Sequence, residues 1–142
     1  MNRKTLIQLR DEDFTECLRS TILRHQRERR DTAAAAIISE ALASRPRRYY
    51  LSYSTVSTQL SRLRGKGHLK TAANRKSTLA RSQWADISSA VDRYLCRNKR
   101  ATIGEAITHV VNFERPKRFY ISDKRARELF RCVSRRTYSL VG

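Results

Sequence analysis

The chain has few acidic residues, few glycines and almost no proline. Its 142 residues include 13 Asp or Glu, four Gly and two Pro, against 31 Lys or Arg. The glycines do not form a phosphate-binding loop, and no apolar stretch approaches the roughly 20 residues that span a bilayer. These absences exclude a P-loop nucleotide site and a membrane-spanning helix. The length allows one ordinary domain or two small ones.

Patterns for metal ligation and disulfide bonding are also absent. The three cysteines are odd in number and widely spaced: Cys17, Cys96 and Cys132. They encode neither a disulfide framework nor a zinc site, and we expect reduced, mostly buried thiols. The three histidines show no paired spacing: His25, His68 and His109. We therefore expect no metal, no cofactor and no catalytic residue, since a small nuclease would need these histidines to converge.

The first residues of the chain lack the long apolar run of a secretory signal. We expect the protein to stay where it is made, in the cytoplasm of a bacterial or phage-infected cell, or to enter a virion.

Positive charge dominates what is present. The formal net charge is +18, the sequence pI is near 11.0, and 24 of the basic residues are Arg. Such an excess repels itself within a compact fold and indicates an anionic partner. The guanidinium fork suits phosphate and guanine edges, so nucleic acid fits best, with DNA favoured over RNA. Acidic protein subunits are the alternative partner, and we expect no membrane association.

Two eight-residue segments of the chain match each other at an offset of 70 positions. Arg45-Pro46-Arg47-Arg48-Tyr49-Tyr50-Leu51-Ser52 aligns with Arg115-Pro116-Lys117-Arg118-Phe119-Tyr120-Ile121-Ser122, and these segments hold the only two prolines. The same offset pairs further apolar positions, so we infer a duplicated unit of about 70 residues. The predicted organisation is a first helical repeat at 1–70, a basic linker at 71–81 and a second helical repeat at 82–142.

Within each repeat the apolar spacing is helical. The predicted first helices bury the faces around Phe14 and Trp84, with Asp13 and Glu16 capping the earlier one. Second helices are expected at about 32–43 and 102–112, where Thr102 and Glu105 have the spacing of a capping box. The predicted fold is therefore all-α, with two tandem three-helix, helix-turn-helix-like units.

The repeated proline segment predicts an extended approach to each third helix, with Ser52 and Ser122 as N-caps. Alternation along an extended chain would send Tyr49 to one side and Tyr50 to the other, so one ring should be buried and its neighbour exposed. The arginines of the segment are predicted to contact phosphates, with an acidic protein surface as the alternative partner.

The region 54–69 resembles the recognition helix and following turn of winged-helix DNA-binding domains, with their T-V-S-x-x-L-x-x-L-x-x-K-G-x-L pattern. The resemblance implies a helix that enters the major groove. It would direct six side chains to DNA: Ser54, Thr55, Ser57, Thr58, Gln59 and Arg62. It would also place 70–81 where a wing lies.

The aromatic-Tyr-aliphatic-Ser segment followed by a basic helix is also similar to small uncharacterised basic proteins of phages and bacterial mobile elements. That similarity implies a genomic setting and no particular activity.

The predicted nucleic-acid-binding residues come from both repeats. They are Arg45, Arg47, Arg48, Tyr49, Thr55, Thr58, Gln59, Arg62, Arg64, Lys66, Arg115, Lys117, Arg118, Lys124, Arg125, Arg127 and Arg131. We expect a non-enzymatic nucleic-acid-binding protein, with duplex DNA as the favoured ligand. The alternative is a structural or assembly protein of a virion or ribonucleoprotein particle.

Overall fold

The computed structural model describes residues 4–64 and 78–141, with side chains described for 4–63 and 78–135. Six helices are found in these ranges: α1 (Leu6–Arg27), α2 (Ala34–Ala43), α3 (Tyr53–Arg64), α4 (Thr78–Arg97), α5 (Ile103–Phe113) and α6 (Asp123–Val141). No strand occurs in the described part of the chain, so the all-α prediction is confirmed.

Local capping explains where several helices begin. The hydroxyl oxygens of Ser52 and Ser122 accept backbone N–H bonds from Thr55 (3.1 Å) and Arg125 (3.2 Å), which confirms both predicted N-caps. Thr102 likewise accepts from the Glu105 amide at 3.1 Å. Such a cap contributes about 1 kcal/mol to helix stability.

The first helix begins earlier than predicted. Its N-cap is Thr5, whose hydroxyl accepts from the Gln8 amide while the Gln8 side chain accepts from the Thr5 amide. This reciprocal pair is a capping box, so Asp13 and Glu16 lie within the helix and do not cap it. The Thr-x-x-Gln spacing in the sequence was the signal for this start.

The chain divides into two compact units that are not consecutive in sequence. Unit 1 contains 1–46 and 117–142, and unit 2 contains 47–116. In unit 1, α6 packs on α1 and α2; in unit 2, α5 packs on α3 and α4. Each proline segment thus crosses from one unit into the other. As a result, α3 packs in unit 2 with the later helices α4 and α5, and α6 packs in unit 1 with the earlier helices α1 and α2.

This division corrects the predicted boundaries of 1–70 and 82–142. Helical periodicity identifies the buried faces of α3 and α6, but it does not specify which helix pair each face packs against. The predicted linker is corrected as well, because Thr78–Arg81 forms the first turn of α4; residues 71–77 lie outside the described residues.

The core of unit 1 is built around α1. Phe14, Leu18 and Ile22 are fully buried, and the Phe14 ring meets the Phe119 ring edge-on with centroids 5.2 Å apart. The Phe119 amide also donates to the Leu42 carbonyl oxygen at 2.9 Å, which ties the approach to α6 onto the end of α2. Each large apolar side chain buried here contributes about 1.5–3 kcal/mol.

The core of unit 2 forms where α3 and α4 meet α5. It contains Val56 and Leu60 from α3, Ile87 and Val91 from α4, and a continuous apolar face of α5. The buried residues of α5 are Ala106, Ile107, Val110 and Val111, which are spaced as one face of a helix.

The two tyrosines at the start of unit 2 depart from the predicted alternation. Tyr49 and Tyr50 are both buried, at 4% and 6% exposure. Tyr50 adopts a φ of 59°, in the left-handed region that a bulky residue rarely occupies. Because this residue breaks the extended backbone, the period-two rule fails and both rings turn inward. At the corresponding positions of the second segment, Phe119 is buried and Tyr120 is half-buried.

Candidate nucleic-acid interface

All 13 Asp and Glu residues of the chain lie within the described ranges. Unit 1 contains 17 basic and nine acidic residues, a net charge of +8. Unit 2 contains 14 basic and four acidic residues, a net charge of +10. Both units therefore carry cations in excess of their carboxylates.

The exposed face of α6 is the clearest basic surface in unit 1. Lys124, Arg127 and Arg131 are exposed and have no acidic partner among the described residues. They lie on the side of the helix opposite the buried Ala126 and Val133. From residue 124 to residue 131 the helix rises by about 10 Å, a length along which duplex DNA presents several phosphates.

Arg125, on the same helix, has a structural role. Its guanidinium donates to Asp11 on α1 at 2.8 and 3.3 Å, and to Glu128 at 3.0 Å. Hydrogen bonds to Asp11 and then to Glu128 raise the pKa of Arg125 above its ordinary value. Because two carboxylates already bind this guanidinium, we expect Arg125 to contribute less to phosphate binding than the other cations of α6.

A groove of about 860 Å³ runs between α2 and the start of α6 in unit 1. Small and apolar side chains of α2 line it, among them Ala35, Ile38 and Leu42. Three cations and one carboxylate from the proline segment and α6 line it as well: Lys117, Arg118, Arg127 and Asp123. The lining therefore combines apolar side chains of α2 with an excess of positive charge.

The proline segments place their basic residues in different units. Arg45 belongs to unit 1 and Arg47 and Arg48 to unit 2, whereas Arg115 belongs to unit 2 and Lys117 and Arg118 to unit 1. Arg47 and Lys117 are exposed and have no acidic partner among the described residues. Arg45 and Arg115 are also exposed, and each has an interaction within the protein.

The second arginine of each segment is half-buried. Arg118 donates from Nε to the Phe119 carbonyl oxygen at 3.1 Å, and its guanidinium lies 5.8 Å from the Tyr120 ring centroid. The Nε of Arg48 is buried without a hydrogen-bond partner among the described residues. Tyr49 must be removed from the predicted interface, because its buried ring contributes to the core of unit 2 and cannot stack on a base.

The outward face of α3 is polar and carries no carboxylate. Thr55, Thr58 and Arg62 are exposed, Gln59 is half-buried, and the Ser52 hydroxyl donates to the Thr55 hydroxyl at 2.9 Å. The predicted contacts at Lys66 and at the Arg64 side chain lie outside the described residues. The wing expected from the winged-helix resemblance is corrected at Thr78–Arg81, which is helical; the rest of 70–81 is not described.

Sequence reasoning missed a basic cluster at the turn between α4 and α5 in unit 2. Arg97, Lys99 and Arg100 are exposed and have no acidic partner among the described residues. The run Cys96-Arg97-Asn98-Lys99-Arg100 was a visible signal, since cations at a helix C-terminus also favour the helix dipole.

The described residues include no group of three or more His, Cys, Asp or Glu side chains that could hold a metal ion. His25 is buried, with Nδ1 2.6 Å from the Asp31 carbonyl oxygen and Nε2 in contact with the Glu40 carboxylate. The cysteines are free thiols, and the expectation that most are buried is wrong: Cys17 is half-buried, and Cys96 and Cys132 are exposed.

Comparison with known proteins gave no match to a protein-family model, to a curated protein or to a solved structure. Among the described helices, none combines the length and the apolar character needed to cross a membrane.

Proposed function

We propose that this protein is a non-enzymatic nucleic-acid-binding protein whose favoured ligand is duplex DNA. One observation carries the proposal: each unit displays exposed Lys and Arg side chains without acidic partners among the described residues, which include all 13 Asp and Glu side chains. Unpaired surface cations in this number repel one another, and phosphates would relieve that repulsion while releasing counterions.

The two third helices suit different parts of this task. In α6 the exposed face is cationic, which favours contacts with phosphates that position the protein. In α3 the exposed face carries hydroxyl groups and Arg62, which can bond to base edges in the major groove. We therefore propose that α6 supplies mainly affinity and that α3 supplies any sequence preference. We further propose that the protein acts in the cytoplasm of a bacterial or phage-infected cell, or within a virion.

A structural or assembly role is the second candidate. The observation that favours it is the groove between α2 and α6, whose apolar and cationic lining residues suit an acidic protein segment. In that case an acidic protein partner should bind to unit 1, and nucleic acid should not displace it.

The experiment that separates the two candidates is a salt titration. Dissociation constants would be measured by electrophoretic mobility for duplex DNA, single-stranded DNA and RNA. The salt concentration would be varied about fourfold, from about 50 to about 200 mM. If about 5 to 8 phosphates are neutralised, log K should fall with log[salt] with a slope of roughly −0.9 per phosphate on duplex DNA. A slope near zero on every nucleic acid would overturn the proposal and favour the assembly role.

A further inference from the structure

An aromatic row lies on the surface of unit 2 where α4 meets α5. The rings of Tyr94 and His109 stack with centroids 4.7 Å apart, and His109 and Phe113 follow at 5.5 Å with a tilt of 39°. Tyr94 and His109 are half-buried, whereas Phe113 is 73% exposed. The row therefore begins at the half-buried Tyr94 and ends at the solvent-exposed ring of Phe113.

Packing within unit 2 does not account for this exposed ring. The apolar face of α5 that enters the core is formed by Ala106, Ile107, Val110 and Val111, and Phe113 lies outside it. Phe113 is the most exposed large apolar side chain among the described residues. A ring in this position leaves apolar surface in water unless another molecule covers it.

Cations lie at the Tyr94 end of the row. Arg97 is the last residue of α4, and Lys99 and Arg100 follow in the turn before α5; all three are exposed and have no acidic partner among the described residues. A depression of about 390 Å³ joins Tyr94, Lys99, Arg100 and Glu105. The carboxylate of Glu114 already accepts a hydrogen bond from the guanidinium of Arg93 at 3.0 Å. Among the described residues, Glu105 is therefore the one negative charge in the depression, beside the three positive charges of the turn.

We infer that the aromatic row and the basic turn form a binding site for single-stranded nucleic acid, in which an unpaired base stacks on Phe113 and phosphates further along the strand meet the cations, about 15 Å away along α5. Aromatic rings beside a positive surface are the combination that single-strand-binding proteins use, because every base has a face that can stack. In an intact duplex the bases stack on one another and are not available to the ring. The inference rests on the proposed nucleic-acid function and adds a second ligand form and its residues.

The test compares Phe113→Ala with Ile103→Ala, a matched loss of exposed apolar surface on the same helix. Binding of the full-length protein to a labelled 20-nucleotide strand, single or annealed to its complement, would be followed by fluorescence anisotropy. Phe113→Ala should weaken single-strand binding about tenfold, with duplex binding and the single-strand salt slope nearly unchanged. Ile103→Ala should leave both affinities unchanged, and Phe113→Trp should retain single-strand binding.

Two results would overturn the inference: unchanged single-strand binding by Phe113→Ala, or equal weakening of single-strand and duplex binding. Thermal unfolding of each variant shows that it is folded, as expected for a substitution at an exposed ring. If the unmodified protein binds neither form of nucleic acid, the proposed function fails together with the inference. If it binds the duplex normally and only the Phe113 effect is missing, the inference alone fails.

Discussion

At the residue scale, Glu40 shows how the few carboxylates of unit 1 are used. It accepts from Arg24 at 3.0 Å and from the buried His25, and Arg30 lies 3.8 Å away. The hydrogen bond from His25, assisted by Arg24, lowers the pKa of Glu40 below its ordinary value of 4.5 against the opposing effect of burial. One carboxylate thus joins the end of α1 to α2.

Replacing Glu40 with Gln should destabilise the protein by about 1–2 kcal/mol at pH 7, because charge-assisted hydrogen bonds are lost at a partly exposed site. A carboxyl with a lowered pKa stabilises the fold above its unfolded-state pKa, and this contribution disappears as pH falls through the folded-state pKa. The difference between the wild type and Glu40→Gln should therefore shrink as pH falls below about 4.5. Urea denaturation at neutral and acidic pH measures it.

Glu12→Gln is the matched control, since among the described residues Glu12 pairs only with Lys4, at 2.8 Å, and both side chains are largely exposed. Its cost should stay below about 0.5 kcal/mol at either pH. A stability gap for Glu40→Gln that is the same at both pH values would show that the charge of Glu40 is not what stabilises the contact.

At the element scale, one face of α6 packs on α1 and the other is proposed to bind nucleic acid. Arg125 joins the helix to α1 through Asp11, whereas Arg131 is exposed and has no acidic partner among the described residues. Two arginines of one helix therefore have separable roles.

Arg125→Gln should lower the free energy of unfolding by about 1 kcal/mol, because it removes a two-bond contact to Asp11, and should leave the salt slope of DNA binding unchanged. Arg131→Gln should reduce that slope by about 1 and leave stability within about 0.5 kcal/mol. Denaturation curves and salt titrations of both variants test this. A reduced slope for Arg125→Gln would return this residue to the interface.

At the scale of the whole molecule, each proline segment sends its third helix into the unit that contains the other helix pair. Val56 on α3 and Val133 on α6 are both buried, at 0% and 3% exposure, but in different units. They form a matched pair of core positions for testing this connectivity.

Val56→Ala should speed hydrogen exchange in α4 and α5, and Val133→Ala should speed it in α1 and α2. Each substitution removes buried apolar volume from one unit, and local opening increases where the packing is lost. Mass-spectrometric hydrogen exchange on the full chain resolves these helices. The reverse pattern would show that the three-helix units are consecutive in sequence after all.

The sequence by itself determined which segments of the described chain are helical and where several of these helices begin. Ser52, Ser122 and Thr102 mark helix starts because a short polar side chain can bond to the amide three residues later. The apolar spacing around Phe14 and Val110 likewise identified buried faces, since the helical period depends on neighbouring residues alone.

Tertiary structure alone decided which helices share a core and which arginines remain available. Arg125 and Asp11 are 114 positions apart, and no local pattern links them. Burial of both Tyr49 and Tyr50 depends on the left-handed backbone of Tyr50, which surrounding contacts must impose against its intrinsic preference. The assignment of α3 to unit 2 and of α6 to unit 1 has the same origin, because it depends on long-range packing that helical periodicity does not encode.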